Sequence, residues 1–178
     1  MANIHTLAPF SLSKNLGAAY NDAIRRFDAD DWLIVKDTDV LFLTPDTARH
    51  IHEYTQRYPD AGLLTCYTNR VANREQLLGG RFLNIDNMRY HLSMAKIQER
   101  NLYQVKVLER PISGFVMVIK KATWDLVQFS ENMKCLGVDN DYDERLRAAG
   151  FSILLMQGVY VWHTYRFLNG RRDVKHLH

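Results

Sequence analysis

The chain has 178 residues, a length that suits one domain with a core of its own. Hydrophobic residues make up 47% and charged residues 24%, which excludes a disordered or low-complexity chain. A formal net charge of +3 is too small to imply nucleic acid, though it suits a ligand that carries phosphate.

The opening "MANIHTLAPF" lacks the basic and apolar regions of a signal peptide, and "NIHTLAPF" reads as a first strand. In "KNLGAAYNDAIRRF" the residues Leu16, Tyr20, Ile24 and Phe27 recur at helical spacing. "WLIVKDTDVLFL" reads as a strand. Thr44 as N-cap and Pro45 as first helical residue then start a helix through about Tyr58. "PDAG" turns the chain into a strand over "LLTCYT". The stretch 69–110 starts as an arginine-rich loop with Arg70, Arg74 and Arg81. A helix over "DNMRYHLSMAKIQERN" and a strand over "YQVKVLE" follow. "SGFVMVIKK" is a further strand, "ATWDLVQF" a short helix, and "DNDYDERLRAAG" a helix stopped by Gly150. "FSILLMQGVYVWHTY" closes the pattern as a strand pair or one bent strand.

Short apolar runs alternating with helical patterns point to an α/β architecture, a mixed sheet flanked by helices. No repeat or linker divides the chain, so residues 1–178 are read as one domain, with the basic end 167–178 as a loose tail. His176 and His178 in that tail are expected to be solvated. No apolar run approaches the roughly 20 residues of a membrane span. Cys66 and Cys135 lie far apart without metal-binding spacing, which suits reduced thiols in a cytoplasmic protein.

The carboxylates of Asp37 and Asp39 interrupt an apolar run, where charge is costly unless something positive meets it. Side chains two apart on an extended segment share a face, so the pair can converge where "LIVK" ends. Two such charges repel, and a divalent cation, Mn²⁺ or Mg²⁺, relieves both costs. The alternative is a polar turn with solvated aspartates. Asp139, Asn140, Asp141, Asp143 and Glu144 form a second acidic cluster at a helix start. There acids complement the helix dipole, and Asp141 with Arg145 and Asp143 with Arg147 can pair along the helix. Asp139 is the member best placed to face a cleft. His163 ends an apolar run. Such a histidine is often structural, but beside a D-x-D pair it becomes a candidate third ligand, and imidazole favours Mn²⁺ over Mg²⁺.

Together these segments resemble the GT-A glycosyltransferases, in particular the large inverting family 2. "NLGAAYNDAI" is similar to that family's loop and helix beside the nucleotide-sugar, "WLIVKDTDVLFLTPD" to its D-x-D strand, and "SGFVMVIKKATWDLV" to the segment lining the donor sugar. "GVDNDYDERLRAAGFSILLMQGVYVWH" resembles the stretch that holds the base and ends in a metal-binding histidine, with Val138 where an acid usually precedes the base. The resemblance covers most of residues 11–166 and implies a chain that starts near the family's third strand. A sheet edge bared there gives room for an oligomer.

The resemblance implies transfer of a sugar from a nucleoside-diphosphate sugar to a hydroxyl-bearing acceptor. A metal held by Asp37, Asp39 and His163 would serve as Lewis acid on the diphosphate, with Asp37 alternatively binding ribose. Asp139 would be the general base. Asn15, Gly17, Asn21 and Gly114 would shape the donor pocket. Arg70, Arg74 and Arg81 are either phosphate contacts or ordinary solvated side chains, the latter being favoured. Trp124 is expected in the core, and Trp162 either there or stacked on sugar. Two rival readings stand beside this one. One is a phosphohydrolase of the haloacid-dehalogenase type, which also uses a strand ending in D-x-D. The other is a GT-A domain that binds nucleotide or glycan without transfer.

Overall fold

A computed structural model describes residues 3–133 and 135–165; His176, His178 and the 167–178 tail lie outside the described residues. The elements run β1 (Ile4–Leu7), α1 (Leu16–Ile24), β2 (Trp32–Lys36), β3 (Val40–Leu41), α2 (Thr47–Arg57), β4 (Leu63–Tyr67) and α3 (Met88–Gln98). They continue with β5 (Val105–Val107), β6 (Val116–Lys120), α4 (Lys121–Leu126), α5 (Val138–Ala148), β7 (Ile153–Tyr160) and β8 (Trp162–His163). Six strands form a mixed sheet in the order β1-β2-β6-β4-β7-β5, and β3 pairs with β8 in a small second sheet. The β1–β2 and β4–β7 pairs are parallel; β6 runs antiparallel to both its neighbours. The expected mixed sheet flanked by helices is therefore present.

Both faces of the central strands are apolar because both are covered. Leu33, Val35, Met117, Ile119 and Leu155 meet Tyr20 and Ile24 of α1, Trp124 of α4, and Tyr142 and Leu146 of α5. On the other face Trp32, Ile34, Leu64, Val118 and Met156 meet Ile51 and Tyr54 of α2. Helix α3 joins that side through His91, whose Nδ1 lies 2.8 Å from the Tyr160 hydroxyl. Gly150, at φ +87°, stops α5 as expected: its N–H reaches the Arg147 carbonyl and that of Phe151 the Leu146 carbonyl.

Three expectations need correction. The run from Trp32 to Leu43 is not one strand. It breaks at Asp37, where the Val40 N–H returns to the Asp37 carbonyl at 3.2 Å, a turn that Asp-Thr-Asp chemistry favours. Helix α2 starts at Thr47 with Asp46 at its N-cap, not at Thr44 and Pro45. There the Thr44 and Thr47 hydroxyls bond each other at 3.0 Å in the approach to the helix. Phe27 lies beyond the end of α1 and packs against the core from the following turn, its N–H bonded to the Ile24 carbonyl.

The last apolar run resolves into two strands. The pairing of β4 with β7 jumps from Cys66–Met156 to Tyr67–Tyr160, so the chain bulges over 157–159. Gly158 allows this, since a Cβ there would lie 2.5 Å from the Leu102 Cα. Past the bulge the chain leaves the large sheet and pairs with β3.

Candidate metal centre

Three constraints shape the Asp37–Asp39 turn. The Asp37 N–H is bonded to the Phe115 carbonyl at 3.0 Å. The Lys36 ammonium donates to the carbonyls of Asp37 (3.0 Å) and Val40 (2.9 Å). Thr164 gives both its N–H and its hydroxyl to the Asp39 carbonyl, each at 2.9 Å. With Val40 paired to His163, strand β8 is bolted beneath the turn. The result brings residues over 120 positions apart into contact: His163 Nε2 lies 3.2 Å from Asp39 Oδ1 and 4.0 Å from Asp37 Oδ2.

His163 is buried and fixed on every side. Its N–H meets Asn69 Oδ1 at 2.9 Å, and its ring stacks on Phe115. Nδ1 sits 2.8 Å from the Arg70 carbonyl, which can only accept, so Nδ1 carries the proton. Nε2 is then a lone pair facing a carboxylate oxygen unless a second proton or a cation stands between them. One ring nitrogen donating to a carbonyl while the other faces the ion is the arrangement of metal-ligating histidines. Ligand atoms of Asp37, Asp39 and His163 lie within 4.8 Å of one another, and among the described residues no other such group of three converges. Two carboxylates and one imidazole fit Mn²⁺ or Mg²⁺, the nitrogen favouring Mn²⁺.

Burial pushes the Asp37 carboxyl up to about 6. His163 and Lys36 pull it down, while Asp39 and Asp139 push with burial. The Asp37 side chain keeps 42% of its surface open, so water screens part of that cost. Lys36 responds in the opposite sense, lowered chiefly by its own desolvation.

Asp139 stands in the first turn of α5, close enough to act on Asp37 electrostatically. Its Oδ2 accepts the Gly114 N–H at 2.7 Å and its Oδ1 the Asn140 N–H at 3.1 Å. A Cβ on Gly114 would lie 2.7 Å from that of Asp139, so only glycine lets the turn before β6 approach α5 this closely. Against family models, curated proteins and solved structures the chain finds no match.

Of the five residues read as donor-binding, Asp37 and Gly114 belong to this cluster. The other three do structural work. Asn15 caps α1 by accepting the Ala18 N–H and donates to the Glu131 carbonyl. Gly17 lets α1 meet the 130 loop, where a Cβ would lie 2.1 Å from the Ser130 carbonyl oxygen. Asn21 is buried and uses its whole amide: it donates to the Phe129 carbonyl and Glu131 Oε1, and accepts from Trp124 Nε1 and the Phe129 N–H.

Arg70 departs from the solvated reading, being fully buried and ion-paired to Asp86 at 2.7 Å; Arg74 and Arg81 are exposed. Trp124 is in the core, and Trp162 joins it, stacked on His91 at 4.8 Å. Asp141 and Asp143 pair with Arg145 and Arg147 as expected. A cleft of about 440 Å³ opens at the opposite end of β2, beside Asp28, Asp31 and Lys120. Its buried acid Asp31 is already engaged by Asn3, His5 and the Asp28 N–H. The sequence reading missed Lys36, Asn69 and Thr164, and it named Arg70 only as a phosphate contact or a solvated side chain. Only Lys36, adjoining the acidic pair, carried a local signal.

Proposed function

We propose that this chain is a GT-A-type glycosyltransferase domain, akin to the inverting family 2, that moves a sugar from a nucleoside-diphosphate sugar to a hydroxyl acceptor. The observation that carries the reading is the meeting of Asp37, Asp39 and a tautomer-fixed His163 beside Asp139. Asp37, Asp39 and His163 would hold the divalent cation, which supplies Lewis acidity to the departing diphosphate. Asp139 takes the proton of the acceptor hydroxyl as its oxygen bonds the anomeric carbon and the bond to the diphosphate breaks. The Gly114 and Asn140 N–H groups orient that carboxylate and leave it further lone pairs for the proton. Attack from the face opposite the leaving group inverts the anomeric carbon.

The phosphohydrolase alternative needs late acids near the metal. Asp139 is one such acid, but it opens α5 instead of ending a strand, and Asp141 and Asp143 are taken up by Arg145 and Arg147, which weighs against that reading.

Calorimetry of nucleoside diphosphates and their sugars with Mn²⁺ tests the proposal. Asp39→Ala is expected to lose metal-dependent nucleotide binding. Asp139→Asn should bind like the parent yet neither transfer the sugar nor pass it to water. Undiminished Mn²⁺-dependent binding by Asp39→Ala rejects the assignment.

A further inference from the structure

The reaction above makes no direct use of Arg70, a buried cation whose two ends serve different structures. Its main-chain carbonyl accepts the His163 Nδ1–H. Its guanidinium donates to the Thr164 carbonyl (3.1 Å), Asn84 Oδ1 (3.0 Å), the Ile85 carbonyl (3.3 Å) and Asp86 Oδ1 (2.7 Å). Asn69 repeats the pattern one residue earlier. Its side chain holds the His163 N–H at 2.9 Å, while its carbonyl accepts the Leu83 N–H at 3.0 Å. Two adjacent residues just past β4 therefore grip both His163 and the 83–86 stretch before α3. A buried guanidinium cannot be left without its acceptors. Displacing residues 84–86 must disturb Arg70, and through its carbonyl and Thr164 the imidazole as well.

We propose that Arg70 is a positioning residue of the cation site, tying the 83–86 segment to His163 so that each is ordered with the other. This rests on the metal-centre reading of Asp37, Asp39 and His163. Such coupling is reciprocal: what orders the segment strengthens cation binding, and the cation orders the segment. Because the 83–86 stretch is exposed or half-buried and is tied to His163 through Asn69 and Arg70, it would be set in place when the cation is bound.

The test uses the full chain and Mn²⁺ alone. Calorimetric titration should show Asp86→Asn binding Mn²⁺ about 10–100-fold more weakly than the parent, as loss of a supporting contact does elsewhere. Asp86→Glu, which restores a carboxylate for Arg70, should recover most of it. Asn84→Ala, which changes no charge, should also weaken binding. Hydrogen exchange of the parent should slow in peptides covering 83–86 on adding Mn²⁺, and this arm decides alone if the variants do not fold. Folded Asp86→Asn and Asn84→Ala with the parent's affinity, or exchange indifferent to Mn²⁺, overturn the inference while leaving the metal centre standing. A parent that takes up no Mn²⁺ rejects the centre itself, and the inference with it.

Discussion

Asp37 is where chemistry and stability meet. Its carboxyl titrates near 6 in the folded protein, above the 3.8 of an unperturbed aspartate. Between those values the folded state holds the proton more tightly than the unfolded chain, so stability is lost as pH rises through that window. The metal-free protein should therefore melt higher at pH 5 than at pH 7 on this account, and Asp37→Asn should flatten that difference in a thermal scan. Cation binding runs the other way, because a ligand must be deprotonated to coordinate. Mn²⁺ affinity is expected to fall as pH drops through about 6, measured by calorimetry across pH 5 to 8, with the slope reduced in Asp37→Asn.

At the level of elements, α1 is held against the loop around residue 130. Asn21 is the pin between them. Asn21→Ala would strand the Trp124 and Phe129 N–H groups and the Phe129 carbonyl in the interior, and each buried unsatisfied group costs about 1–3 kcal/mol. A loss of about 3 kcal/mol or more in urea unfolding is expected, in contrast to a ligand contact, whose removal would spare stability. Gly17→Ala should cost about 1–3 kcal/mol through the clash with the Ser130 carbonyl. Neither change removes a metal ligand, so residual folded protein should still bind Mn²⁺.

On the scale of the whole molecule, the candidate metal centre joins the turn after β2 to the strand that ends the described fold. A cation seated there would bridge distant parts of the chain and would bind only when they are assembled. At Mn²⁺ one hundred times its dissociation constant the stabilisation is about 2.7 kcal/mol. For a domain of this length that corresponds to a melting point roughly 5–11 °C higher. His163→Ala should abolish most of the rise in a thermal-shift assay. Among the described residues no helix is long and apolar enough to cross a membrane.

Local pattern decided a good deal. Apolar runs marked β2, β4, β6 and β7, helical spacing marked α1 and α5, and Gly150 marked the end of α5 because only glycine enters the left-handed region without strain. Asp37, Asp39, Asp139 and His163 could be named from residue type and context, since carboxylates in apolar surroundings demand a reason. Their joint position could not. It follows from the bulge at 157–159, which carries β8 out of the large sheet and under the acidic turn, and from the close approach of Gly114 to α5. The roles of Asn21, Asn69 and Arg70 were equally hidden, because a buried polar side chain is defined by partners from distant segments. Periodicity records which face of an element is covered; only the folded chain decides which polar groups meet once the faces are closed.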